Sequence, residues 1–107
     1  MYYRMRIYKA VPEALEVFYR FFREKLLPVQ ERHGARLVGR WETDDFRVVA
    51  VWEYDSPEHY ERICAAVAAD PDAITAQEYR RQLPELVIES EEFFMRSTVS
   101  LDSDSSV

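Results

Sequence analysis

RVVAVWEYDSPEHYERICAAVAAD, residues 47–70, is the stretch on which the fold turns. Val48, Val49, Val51, Trp52 and Tyr54 are branched or aromatic and suit a pleated, half-buried strand. Asp55 and Ser56 break that run, and the Ser56 hydroxyl is placed to cap a helix. Pro57 stands at the first helical position, where a missing N–H costs little. Tyr60, Ile63, Cys64 and Val67 then recur at helical spacing and form one apolar face. The stretch is a strand, a tight turn and a capped helix.

Upstream, residues 2–9 alternate, with Tyr3, Met5 and Ile7 on one face and Tyr2, Arg4, Arg6 and Tyr8 on the other. The first set is expected under helices, the second on the uncovered side. Pro12 opens a helix to about His33, in which Leu15, Phe18, Phe22, Leu26 and Val29 form the stripe. Pro28 removes a hydrogen bond to the Glu24 carbonyl and predicts a kink there. Gly34 is the left-handed stop. Residues 35–42 and 46–54 form a hairpin across Thr43–Asp44–Asp45.

Downstream, Asp70–Pro71–Asp72 ends the helix that began at Pro57 and starts a shorter one over residues 73–83. The last strand is read at residues 91–99, with the acidic run from Glu89 to Glu92 as its solvated start. Residues 100–107, SLDSDSSV, are read as a disordered acidic tail, leaving residues 1–99 as one domain. The order is βαββαβ with one added helix: an α+β, ferredoxin-like arrangement with a four-stranded antiparallel sheet in the order 4-1-3-2. Helices cover one face. The other would carry Arg6, Tyr8, Val38, Arg40, Val49, Val51, Glu53 and Phe94, too apolar to stand in water. A homodimer closing through that sheet face is the expected solution.

Composition narrows the function classes. The chain has 107 residues, 48% of them hydrophobic, and a formal charge of −6, which argues against nucleic acid and against anionic membranes. No apolar run approaches the roughly 20 residues of a membrane span, and the start lacks a signal-peptide core. A single cysteine makes no internal disulfide, so a cytoplasmic location is expected. His33, His59 and Cys64 have no recognised metal-ligand spacing, and two glycines make no phosphate-cradling loop. No metal and no cofactor are therefore expected.

The segments MRIYKAVP (5–12), LLPVQERHGARLVGRW (26–41) and above all VWEYDSPEHYERICAAVAADP (51–71) resemble the NIPSNAP family. That family belongs to the dimeric α/β-barrel superfamily, which includes the antibiotic-biosynthesis monooxygenases. The resemblance covers most of residues 3–99 and departs after Pro71. Family members usually carry a tryptophan there, whereas this chain reads DAITAQEY, an apparent insertion within Asp70–Tyr79. It implies a dimer with a pocket between helices and sheet in each subunit. By analogy it also implies a cofactor-independent oxygenase or related enzyme acting on a small aromatic or polyketide-like metabolite. The alternative is a non-catalytic dimeric module that binds a small ligand or another protein.

Under the enzyme reading, His59 is the base and Arg6 and Tyr8 stabilise the substrate anion. Trp41, Trp52, Tyr54 and Tyr60 are the walls of an aromatic ligand pocket. Each has a structural counterpart. Arg6 can pair with Glu53 across strands, and the aromatics can be core. His59 can bond its own helix end or Asp55. Cys64, on the apolar face, reads as an inert core thiol. His33 reads as a helix-terminal residue.

Overall fold

The structure is a computed structural model that describes residues 1–99. Strand β1 (Tyr2–Ala10) leads into a helical stretch that begins with a 3-10 turn at Pro12–Ala14. The stretch continues as α1 (Leu15–Phe21), a π turn (Phe22–Leu26) and α2 (Leu27–Arg32). Strands β2 (Arg36–Glu42) and β3 (Arg47–Tyr54) form the hairpin, followed by α3 (Pro57–Ala68), α4 (Pro71–Arg81) and β4 (Val87–Met95). The strands are antiparallel in the order β2-β3-β1-β4, as the sequence predicts. The proposed disordered tail lies outside the described residues.

Local chemistry explains the element ends. The Ser56 hydroxyl accepts from the His59 N–H at 3.0 Å, and Pro57 occupies the first turn of α3. Gly34 has φ +103°, the left-handed stop that only glycine adopts without strain. Asp70 caps α4 by accepting from the Asp72 N–H at 2.8 Å, so that helix begins at Pro71 rather than at residue 73. Arg32 and His33 at the end of α2 bond the same carboxylate, tying two helix ends together.

Four features differ from the sequence reading. The disturbance at Pro28 is a π turn upstream of it. Pro28 has no N–H to donate, and the helix takes in an extra residue, so that the Leu27 N–H reaches the Phe22 carbonyl. The last strand runs four residues earlier than expected. Val11 donates to the Leu86 carbonyl at 3.0 Å, Leu86 is fully buried, and the strand is pinned from Val87 onward. Its acidic run lies mid-strand, where Glu92 pairs with Arg4 and Arg6. Cys64 is exposed, at the margin of its helix face rather than in the core.

The fourth difference decides where the chemistry sits. On β3, Val48, Ala50, Trp52 and Tyr54 are buried under the helices. Directly opposed antiparallel residues share a face, and their partners on β1 are Tyr8, Arg6, Arg4 and Tyr2. The faces of β1 are therefore the reverse of those expected. Arg6 and Tyr8 point into the helix layer, and Tyr3, Met5 and Ile7 line the open side. Phe94 and Glu92 of β4 follow Arg4 and Arg6 to the helix side. On β2, a bulge between Leu37 and Gly39 shifts the register, which turns Arg40 from the open face to the helix face.

The core is split. One cluster gathers Phe18, Phe21, Val48, Ala76 and Leu86; the other gathers Ala35, Trp52, Tyr54 and Ile63. The polar row described next crosses the sheet within the same helix-covered layer.

Candidate functional site

One row across the helix-side face reads Arg40 on β2, Ala50 on β3, Arg6 on β1 and Glu92 on β4. Ala50 is small and buried, and the two guanidiniums stand on the strands either side of it, in a sheet whose strands are spaced about 4.8 Å apart. Arg6 bonds Glu92 at 3.2 Å and lies over the Tyr8 ring, 5.0 Å from its centre. Its Nε is buried without a partner among the described residues. Glu53 sits on the opposite face, where Arg36 Nε donates to it at 2.8 Å and the Tyr3 hydroxyl at 3.0 Å. The expected Arg6–Glu53 pair is therefore replaced by Arg6–Glu92 and Arg36–Glu53.

Arg40 is the more exceptional cation. Its guanidinium lies 4.7 Å from the Phe18 ring centre, 5.2 Å from that of Tyr19 and 4.1 Å from that of Phe22. No carboxylate pairs with it, and its Nε and one Nη are buried with no hydrogen-bond partner among the described residues. Burial pulls its pKa below the usual arginine value, while Tyr8 and Tyr19 oppose that. Arginine nevertheless stays charged at neutral pH. A charge held by ring faces alone has unused donors, and unused donors are what an anion binds.

Arg40 lines a cavity of about 410 Å³ between the helical stretch and the edge strand β2. Phe22, Leu27 and Arg23, brought in by the π turn, line it with Tyr19, Trp41 and Glu42. π turns recur at functional sites because the extra residue re-aims side chains. Trp41 folds back over Gly39: a Cβ at that glycine would meet the indole at 2.4 Å. The Tyr19 hydroxyl donates to the Glu42 carboxylate in a short hydrogen bond. Burial first, and that bond second, push Tyr19 up to about 12, so it remains a donor at neutral pH.

The candidates read from the sequence divide among three places. Trp41 borders the cavity at the sheet edge, but it pairs with Val49 and its indole lies over Gly39 on the open face. Arg6 and Tyr8 come together beside it, since Phe18 meets Tyr8 edge-on at 5.4 Å and Arg40 through its face. Trp52 and Tyr54 are 5% and 1% exposed and belong to the core. Tyr60 packs among Tyr54, Phe94 and Tyr2 beneath Arg4, and burial pushes it up to about 12. His59 does not line the cavity: its Nδ1 accepts from the Asp55 N–H at 2.9 Å, and its ring meets Tyr54 edge-on. Its Nε2 faces Gly34. Arg40, Tyr19 and Glu42 were missed as site residues. The available signal was Gly39 inside a strand, a mark of a bulge.

Among the described residues, no three His, Cys, Asp or Glu side chains cluster as metal ligands, and no helix is long and apolar enough to cross a membrane.

The NIPSNAP family model matches residues 3–101. Among curated proteins, none matches this chain. Among solved structures, an uncharacterised NIPSNAP domain protein from Burkholderia xenovorans is similar at TM-score 0.79 and 24% identity, covering 92% of this chain and 95% of its own. A NIPSNAP family protein from Agrobacterium tumefaciens is similar at 0.78 and 20%, covering 91% and 92%. A putative antibiotic biosynthesis monooxygenase from Nitrosomonas europaea is more distant, at 0.66 and 11%, covering 92% and 99%. At these identities the structural likeness is one of fold.

Proposed function

This chain belongs to the NIPSNAP family, and from that premise we propose that it takes a flat, acidic aromatic or polyketide-like compound into the cavity beside Arg40. The observation that carries this reading is the unpaired guanidinium on an aromatic-walled cavity. Phenolates, enolates and aromatic carboxylates offer both a ring for Phe22 and Tyr19 and an anion for Arg40.

The chemistry proposed for the bound compound is cofactor-independent oxidation. Glu42 takes a proton from an acidic C–H, and Arg40 holds the resulting anion. The anion supplies the electrons to dioxygen, a C–O bond forms, and loss of water from the hydroperoxide leaves a ketone. An anthrone would thus give an anthraquinone and one water per dioxygen. The distant fold likeness to a putative antibiotic biosynthesis monooxygenase agrees with this but carries no residue across.

A second reading, a binding module without catalysis, is favoured by Glu42 being already engaged by Tyr19. The test is tryptophan fluorescence quenching by 1-hydroxy-2-naphthoate, followed by oxygen uptake with anthrone. Quenching that Arg40→Met abolishes supports the site, and absence of quenching in the wild type overturns it. Oxygen uptake lost in Glu42→Gln supports the enzyme; binding without uptake leaves the module.

We also propose that the open sheet face is where a second copy packs. Met5, Ile7, Val49, Val51 and Phe93 lie on it, which is more apolar than the sequence suggested because Arg6 and Arg40 face the other way.

A further inference from the structure

The cavity beside Arg40 has a neighbour. A second cavity of about 270 Å³ is lined by Glu16, Tyr19, Arg20 and Arg23. Tyr19 and Arg23 line both cavities, so the two adjoin across those side chains. Arg20 and Arg23 are three residues apart on one helical stretch and therefore neighbours on its surface. Neither makes an ion pair among the described residues, and nor do the exposed Arg62, Arg80, Arg81 and Arg96; what sets Arg20, Arg23 and Arg40 apart is that they line two adjoining cavities. In a chain of formal charge −6, three unpaired arginines thus converge on one pair of cavities.

The geometry points to a bipartite ligand: an acidic aromatic head beside Arg40 and a carboxylate tail held by Arg20 and Arg23 in the outer cavity. This rests on the binding reading above and extends it. Glu16 lines the outer cavity too and sets the charge of the tail. Two arginines against one glutamate leave a single net positive charge, matched by one carboxylate and not by a polyphosphate. Tyr19 stands between head and tail, with its hydroxyl committed to Glu42. A compound lacking the tail leaves the outer arginines in water and gains nothing from them.

The test compares two probes by tryptophan fluorescence titration: 1-hydroxy-2-naphthoate, and the same ring carrying a carboxymethoxy group at its far end. The expected result is that the wild type binds the dicarboxylate about 5-fold tighter, the value of a partly exposed ion pair. Arg20→Gln should bring the ratio of the two affinities to about one, and raised salt should shrink it. Equal affinities in the wild type, or a ratio untouched by Arg20→Gln, overturn the tail subsite. If the wild type binds both probes equally and Arg40→Met loses both, the head site stands alone. If neither probe binds the wild type, the head site falls and this inference falls with it.

Discussion

Arg40 is expected to add little to stability. Taking a guanidinium out of water without a carboxylate or carbonyl partner costs more than ring faces return, and replacing such a charge by an apolar chain is often neutral or stabilising. Arg40→Met is therefore expected to leave Tm unchanged or raise it, while weakening an aromatic carboxylate by about 10- to 100-fold. Calorimetry and fluorescence titration on the same samples check both halves. A drop in Tm would mean that the guanidinium is satisfied in solution. Phe46 makes the complementary case. Its φ of 64° is left-handed, the one such non-glycine residue described, and its side chain is 48% exposed. That conformation costs a bulky residue about 1 kcal/mol. Phe46→Gly should accordingly raise Tm by about 4 °C in a chain of this size. A lower Tm in the variant would show that the ring packs against something in the assembled protein.

At the level of elements, the seam between α2 and α4 gives a pH signature. Arg32 foremost, then His33 and the Asp72 N–H, hold the Asp70 carboxyl well below the usual carboxylate range. A depressed folded-state pKa stabilises fully above the ordinary value of 3.8 and loses that contribution as pH falls below it. Asp70→Asn should thus melt below the wild type at pH 7, with the gap narrowing between pH 4 and pH 2. No gap at pH 7 would mean that Asp70 acts only as a helix cap, a role asparagine fills as well. The same elements explain what could be read in advance. Strand and helix spans, the caps at Ser56 and Gly34, and the sheet order follow from periodicity and turn chemistry, which are local. Phase was not local. Residues 2–8 alternate cleanly, yet both faces carry a tyrosine, and only the register Arg6↔Ala50 fixes which face meets the helices. A bulge at Val38 then moved Arg40 by one face, and a π turn moved Arg23 and Leu27 into the cavity. Two one-residue insertions into regular ladders hid most of the site. Trp41 was named only as one of several aromatics, because side-chain type alone does not separate a cavity wall from core.

For the whole molecule, the helices leave one sheet face uncovered, and its chemistry is what the proposed dimer rests on. Val51 stands near its centre, opposite Met5 on β1 and Gly39 on β2, with Ile7 and Val49 forming the next row. Phe93 and Trp41 on the flanking strands are 43% and 52% exposed. On the proposed assembly this apolar surface is the association site, and a two-fold partner presenting the same surface would close it without leaving a new edge. Val51→Glu puts a charge at that centre, so two copies would bring two carboxylates together out of water, a cost of several kcal/mol. Light scattering on eluted peaks should therefore report a dimer for the wild type and a monomer for the variant. Within one chain Val51 is already partly solvated, so the variant keeps its fold. Val51→Thr, a milder polar change, should shift the same equilibrium less far. Because the cavity beside Arg40 lies on the helix side of the sheet, the Val51→Glu monomer should still quench with 1-hydroxy-2-naphthoate. A monomeric wild type would remove the proposed interface; a dimeric Val51→Glu would place it elsewhere on the surface. A monomeric variant that no longer binds would mean that the second copy helps to shape the cavity.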